Sequence, residues 1–318
     1  MRARTGAVSV DLDEVREYTR IHDLPPFSEG DPTGRAVYEK ALDRIEAWAA
    51  SLSLPITFFA VGRDLDRPEN AARLRRLVGL GHAVECHSLS HRYNLSRMRG
   101  ADLAREVTGG LDAIERATSV RPTGFRAPGY TVSEPLFDAL ESAGVAFDSS
   151  VFPSLVYHSA KAAVMAVMRA RGRESASILG SPRVLTAPRG PYRPGEDWHS
   201  PARSGRRSRP FLELPVQVTP LVGFPVIGTS LGRAGTFGVK ALALACARDP
   251  FVNLELHGMD FLAAEDIAPH PLTRLQPELG APLSARLDRL TLFVKTLRSQ
   301  GVSFVTLAEA ARTFARTG

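Results

Sequence analysis

The chain is poor in cysteine, in aromatic residues and in long apolar runs. Its 318 residues include two cysteines, Cys86 and Cys246, and 7% aromatics. Two thiols cannot form a disulfide framework, so ordinary packing must hold the fold, and the pair suits a reducing compartment. No stretch of about eighteen apolar residues occurs, so no transmembrane helix is expected. The N-terminal MRARTGAVSVDLDE passes from charge into a strand-like segment, without the apolar run of a signal peptide. A cytoplasmic protein, extending to work at the inner membrane surface, is the expectation; a periplasmic setting is the alternative. No helix-turn-helix, zinc-finger or aromatic-and-basic sheet signature is present. Nucleic acid is therefore not an expected partner, although the net charge of +6 favours anions of some kind.

Apolar residues at 44% and charged residues at 23% are enough for a substantial core. Short β-branched or apolar runs at 7–12, 55–61, 82–86, 123–126, 145–148, 251–257 and 303–306 read as strands. Between them lie helical patterns, beginning at Asp31-Pro32 and running to Leu52, then at 68–80, 101–117, 134–143, 283–300 and 307–315. Strands alternating with crossovers of a dozen or more residues predict an α/β fold built on a parallel sheet or barrel. Residues 152–240 break the rhythm. From Lys161 to Arg209 there are eleven Lys or Arg against three acids. This stretch reads as an insertion within one domain spanning 1–318.

Four segments place polar, ligand-type residues at the C-terminal ends of predicted strands, where parallel α/β folds build their sites. Asp11-Leu12-Asp13 puts two carboxylates on one side of a continuing strand. Such carboxylates repel unless a metal or arginine intervenes. Read alone, the segment also fits a solvated strand end. His87-Ser88-Leu89-Ser90-His91 spaces two histidines so that one helical turn brings them to one metal. The donor type suits Zn²⁺, Ni²⁺ or Co²⁺ over Mg²⁺, and Asp13 would complete a site with two histidines and one carboxylate. Arg126-Ala127-Pro128-Gly129-Tyr130 joins a strand-end guanidinium, able to pair with a carboxylate, to a tight turn. It equally fits a structural arginine. His257-Gly258 closes a late strand with a group suited to proton transfer near neutrality, although a lone histidine is more often not catalytic.

Together, in this order, the four segments resemble the polysaccharide deacetylase family, the chitooligosaccharide deacetylase homology domain. The resemblance covers about the first 150 residues well and the last 70 or so weakly. It implies a distorted (β/α) barrel of about seven parallel strands holding one divalent metal. It implies Asp11 as catalytic base, Asp13, His87 and His91 as metal ligands, Arg126 as tether of the base, and His257 as general acid. A backbone N–H near Gly129-Tyr130 would help hold the oxyanion, and Pro128, Gly129 and Tyr130 would contact substrate. The activity implied is hydrolysis of an N-acyl group, acetyl or formyl, from an aminosugar. The alternative is a carbohydrate- or lipid-sugar-binding protein that kept the fold and lost catalysis, which would require a replacement at one of these positions.

The chain also departs from the pattern. Leu12 separates aspartates that are usually adjacent, and this D-x-D form is similar to the branch acting on lipid-linked aminosugars. Gly129 and Tyr130 stand in reversed order. The family's Asp-x-x-Trp motif is missing, and Asp148 stands in that region as a candidate groove residue. Within the insertion, Val156–Arg173 reads as an amphipathic helix with basic flanks. It would either lie on an anionic membrane or pack on the barrel with a solvated basic side. The second is the expectation, because the apolar face is small and lacks Trp and Phe. Arg203, Arg206, Arg207 and Arg209 would meet a phosphate or form a solvated loop, and Trp198 would cover the sugar. The expected partner is thus an N-acylated sugar, lipid- or phosphate-linked, with peripheral membrane contact.

Overall fold

The structure is a computed structural model that describes residues 4–28 and 30–316. Its eight parallel strands form one curled sheet, the expected distorted barrel. Strand β1 (Arg4–Asp11) is the hub. It pairs with β2 (Ile56–Ala60), with β7 (Phe251–His257) and, at its start, with β8 (Val302–Phe304). From β2 the sheet continues through β3 (Ala83–Cys86), β4 (Gly124–Phe125), β5 (Phe147–Asp148) and β6 (Leu212–Glu213). Strand β2, Ile-Thr-Phe-Phe-Ala, is buried throughout, as a strand covered on both faces must be.

Helices α1 (Val15–Ile21), α2 (Leu42–Ser51), α3 (Pro68–Gly79), α4 (Gly100–Thr118) and α5 (Glu134–Ser142) belong to the first half. The stripe Leu103, Val107, Leu111 and Ile114 of α4 is buried as its spacing predicts. In the second half follow α6 (Leu155–Ala170), α7 (Gly228–Arg233), α8 (Thr236–Cys246), the single turns α9 (Ala264–Ile267) and α10 (Leu272–Leu275), α11 (Leu283–Ser299) and α12 (Leu307–Ala315).

Three details differ from the sequence expectations. The helix expected from Asp31 to Leu52 is a 3₁₀ turn at Pro32–Arg35, a π turn at Val37–Ala41, and then α2. The buried Glu14 carboxylate accepts the Val37 and Tyr38 amides at 3.1 and 3.3 Å, which anchors the chain at this break. Residues 152–240 are more than a decoration. Leu212–Glu213 is strand β6, too short to show a period, and the chain beyond it closes the barrel. Gln217 N–H donates to Asn253 O at 3.0 Å, and Ile227 bridges Glu255. Finally, α6 does not pack an apolar side on the barrel. Met168 is its one buried residue, and Val156, Val164 and Val167 stay exposed.

Gly124 lies in register with Phe147 on the neighbouring strand, and a Cβ there would fall within the Phe147 ring. Gly124→Ala is therefore expected to destabilise the fold by about 1–3 kcal/mol through overpacking. A thermal unfolding midpoint equal to that of the wild type would contradict this packing.

Candidate metal centre and active site

Asp13, His87 and His91 are all buried, and their ligand atoms converge. Asp13 Oδ1 lies 3.1 Å from His87 Nε2 and 3.1 Å from His91 Nε2. The carbonyl of Arg126 lies 2.7 Å from His87 Nδ1. A carbonyl only accepts, so Nδ1 carries the proton and Nε2 presents a bare lone pair to Asp13. His91 places Nδ1 3.5 Å from the buried Glu17 carboxylate, which favours the same tautomer. Asp13 Oδ1 and His91 Nε2 have no hydrogen-bond partner. Burial alone would raise the Asp13 acid; with both imidazoles carrying a second proton, the His91 and His87 charges outweigh burial and hold Asp13 well below the usual carboxylate range, and a bound cation would take the place of those protons. Two imidazole nitrogens and a carboxylate, buried and mutually close, suit a zinc-type divalent cation.

The two histidines do not meet on a helical turn, as their spacing suggested. They meet in a loop in which Ser88 and His91 both adopt left-handed backbone, at φ 65° and 53°. Such backbone persists only where its surroundings enforce it. Ser88 Oγ accepts the His91 amide at 3.0 Å, and the Leu89 amide donates to Glu106 O of α4 at 2.8 Å. The Glu106 carboxylate accepts the Ser90 amide at 3.0 Å. Gly110 of α4 permits this approach: a Cβ there would sit 2.7 Å from Cys86 Sγ and 2.8 Å from the Ser88 carbonyl carbon.

Arg126 is fully buried and donates to four acceptors. They are Asp11 Oδ1 at 2.6 Å, Ser9 Oγ at 2.9 Å, Ser149 Oγ at 2.8 Å and Ser149 O at 2.9 Å. Its guanidinium also lies 4.1 Å over the Phe59 ring. Burial opposes the charge, but Asp11, with Tyr130 and Glu255 adding, raises Arg126 above its ordinary value. Asp11 is thereby held on a fixed countercharge, with Oδ2 left 3.8 Å from His87 Nε2.

The strand register brings the opposite pole to Asp11. Asp11 is the β-partner of His257, and Ser9 is the β-partner of Glu255. His257 points Nε2 toward Asp13 Oδ2 at 3.8 Å and toward the Tyr130 hydroxyl at 3.5 Å. Its Nδ1 pairs with the wholly buried Glu255 at 2.9 Å. Burial would depress His257. Glu255, by charge and hydrogen bond, overrides it with help from Asp13 and Asp11, and His257 is raised well above its ordinary value. Glu255 was not foreseen; its place two residues before His257, on the same strand face, was the available signal.

Around these groups lies a cavity of about 390 Å³, lined by Asp11, Asp13, His87 and His257 and walled by Tyr18, Tyr93, Tyr130 and Tyr157. Helix α6 adds Val156, Ala160, Val164 and Met165, so its apolar residues face the site. Lys161 reaches into the same space, donates to Gly129 O at 3.1 Å, and is pushed down to about 8 by burial.

Other candidates have different roles. Pro128 begins the 3₁₀ turn that carries Gly129 and Tyr130 to the cavity wall. The Tyr130 amide donates to Ala127 O at 3.1 Å and is not free for an oxyanion; the phenol of Tyr130 faces the site instead. Asp148 is buried away from the cavity and accepts from Ser150 Oγ at 2.8 Å. Trp198 covers no sugar site: it is buried against Phe137, with its amide donating to Glu134 at 2.8 Å. Arg207 and Arg209 pair with Asp138 and Glu141 of α5, so this part of the basic run is structural.

Residues 31–147 match the family model described as polysaccharide deacetylase, a span that carries His87, His91 and Arg126. Two solved structures share the fold over 99% of this chain and 92% of theirs. One is a probable polysaccharide deacetylase from Pseudomonas aeruginosa PAO1, at 15% identity and a TM-score of 0.62. The other is PuuE allantoinase, at 15% identity and a TM-score of 0.61. At such identities the likeness is one of fold. No curated protein matches the chain.

The Glu255–His257 pair predicts a pH signature. If protonated His257 is the required acid, activity is lost as pH rises through its folded pKa. Glu255→Gln removes the largest raising influence, so the alkaline limb of kcat/KM should move to lower pH. An unmoved limb would mean that Glu255 does not set the protonation of His257.

Proposed function

We propose that the chain hydrolyses the amide of an N-acylated aminosugar, using one divalent metal, zinc by donor type, held by Asp13, His87 and His91. The observation that carries this reading is the convergence of three buried ligand atoms, two of them (Asp13 Oδ1 and His91 Nε2) without a hydrogen-bond partner, beside a tethered carboxylate and a carboxylate-paired histidine. A cation held there would supply polarisation of the acyl carbonyl and acidification of water. Asp11, fixed by Arg126, takes the proton of the attacking water. His257, with Nδ1 on Glu255, delivers a proton from Nε2 to the leaving nitrogen, which would otherwise depart as a very poor leaving group. The Tyr130 hydroxyl, 3.5 Å from His257 Nε2, would orient the sugar.

The finer reading is an amphiphilic, lipid-linked substrate that the protein meets at a membrane surface. Its support is the largely aliphatic and aromatic wall from α6, Tyr18, Ile21, Pro225 and Ile227. A turn beside that wall exposes Leu221 by 92% and Val222 by 72%, and Leu155 is 60% exposed. Ser154 donates to Gly223 O at 2.8 Å, tying the turn to the start of α6. Exposed aliphatic clusters of this kind mark contact with apolar partners. Among the described residues no helix is long and apolar enough to cross a membrane, so such contact would be peripheral.

The test is acyl release from N-acetyl and N-formyl aminosugar glycosides, each with and without a long alkyl aglycone. Acetate or formate should appear, and the alkyl glycoside should be favoured at least about tenfold in kcat/KM, the effect of burying two or so methylenes. Equal rates would remove the amphiphile from the account. No release from any of them would remove the hydrolase.

A further inference from the structure

Helix α1 separates the catalytic cavity from a second one of about 800 Å³, and the two share no lining residue. Tyr18 and Ile21 face the first, whereas Arg16, Thr19 and Arg20 face the second. Six guanidiniums line the second cavity: Arg16, Arg20, Arg35, Arg63, Arg67 and Arg92. Its carboxylates are Glu17, Asp31 and Asp66, with Asp64 buried beside Arg16 and Arg63.

These acids do not use up the arginines. Glu17 pairs with Arg20 at 2.8 Å and with Arg63, and Asp64 pairs with Arg16. Asp31 accepts the Thr33 amide at 2.9 Å, and Arg35 holds Glu39 at 2.9 Å. Arg67 and Arg92 remain. Their nearest carboxylates, Glu69 and Glu106, stand at 3.9 and 4.0 Å, beyond hydrogen-bond reach. Arg63 Nε is buried without a hydrogen-bond partner, 3.7 Å from Asp64 Oδ1. Burial, with the Arg16 and Arg92 charges adding, pushes Arg63 below its ordinary value even though Asp64 opposes this. A guanidinium with an open Nε donor thus lines the cavity together with two others, Arg67 and Arg92, that no carboxylate reaches by a hydrogen bond. Planar forks with open donors around a concavity match the geometry of tetrahedral oxyanions, and recessed like charge concentrates the field on them.

From this arrangement we infer a second ligand site: the wall formed by Arg63, Arg67 and Arg92 binds a multivalent oxyanion of the phosphate class. None of the three touches the reacting atoms; Arg63 reaches the metal-type triad only through Glu17, which stands 3.5 Å from His91, and Arg67 and Arg92 pair with neither. The ligand stands across α1 from the reacting atoms, so this site is independent of the amidohydrolase reading.

Titration calorimetry of inorganic pyrophosphate into the metal-loaded protein tests the site, with the Arg67→Gln/Arg92→Gln double variant alongside. Saturable binding is expected in the wild type, weakened roughly tenfold for each guanidinium removed, with metal content and unfolding midpoint unchanged. Either single variant serves if the double variant loses stability. Co-sedimentation with vesicles containing phosphatidic acid separates the sources: retention that depends on the same two arginines assigns a lipid phosphate. The inference is overturned if neither probe binds. It is equally overturned if wild type and variant bind alike, as chelation of the active-site metal would produce.

Discussion

The buried Arg126 guanidinium is the interaction on which the site depends. It takes acceptors from β1 and from the end of β5 while standing at the end of β4, so one side chain ties three strands together inside the barrel. A buried charge left unpaired costs several kcal/mol, so Asp11, Ser9 and Ser149 are each committed to one geometry. That commitment fixes the proposed base. The Arg126 backbone carbonyl also holds His87, so a single residue sets the orientation of both the proposed base and a candidate metal ligand.

Parallel register then does for the acid what Arg126 does for the base. Ser9, Asp11 and Asp13 share one face of an extending chain, as Asn253, Glu255 and His257 share one face of β7. Because Asp11 is the β-partner of His257, the proposed proton acceptor and proton donor stand on neighbouring strands at the same barrel end. The metal-type triad lies beside them, with His87 3.8 Å from Asp11 and Asp13 3.8 Å from His257. The chemistry is therefore a consequence of strand alternation and of an apolar exterior that keeps these polar residues pointing inward.

Much of this was legible in the sequence, because buried parallel strands write themselves as short apolar runs and ligand-type residues follow them directly. Asp13, His87 and His91 come together as expected, and Arg126 finds Asp11. What was illegible depended on contacts distant in sequence. The loop from His87 to His91 is shaped by Gly110 and Glu106 on α4, which no local spacing reveals. Strand β6 is two residues long and is defined by its neighbour. Trp198, expected to cover the sugar, is instead buried against Phe137, a contact distant in sequence. The amphipathic helix at 156–173 was expected to pack on the barrel with a solvated basic side, whereas tertiary placement makes Lys161 and the apolar residues of α6 a wall of the site.

The central claim is that one set of side chains holds a metal while a separate carboxylate moves the proton. The most direct measurement is bound metal together with acyl release for the wild type, His87→Ala and Asp11→Asn. The account predicts that His87→Ala loses both metal and activity. Asp11→Asn should keep the metal while activity falls by about 10²–10⁴-fold, the worth of a positioned base. A wild type that takes up no metal and an activity unchanged by His87→Ala would contradict it.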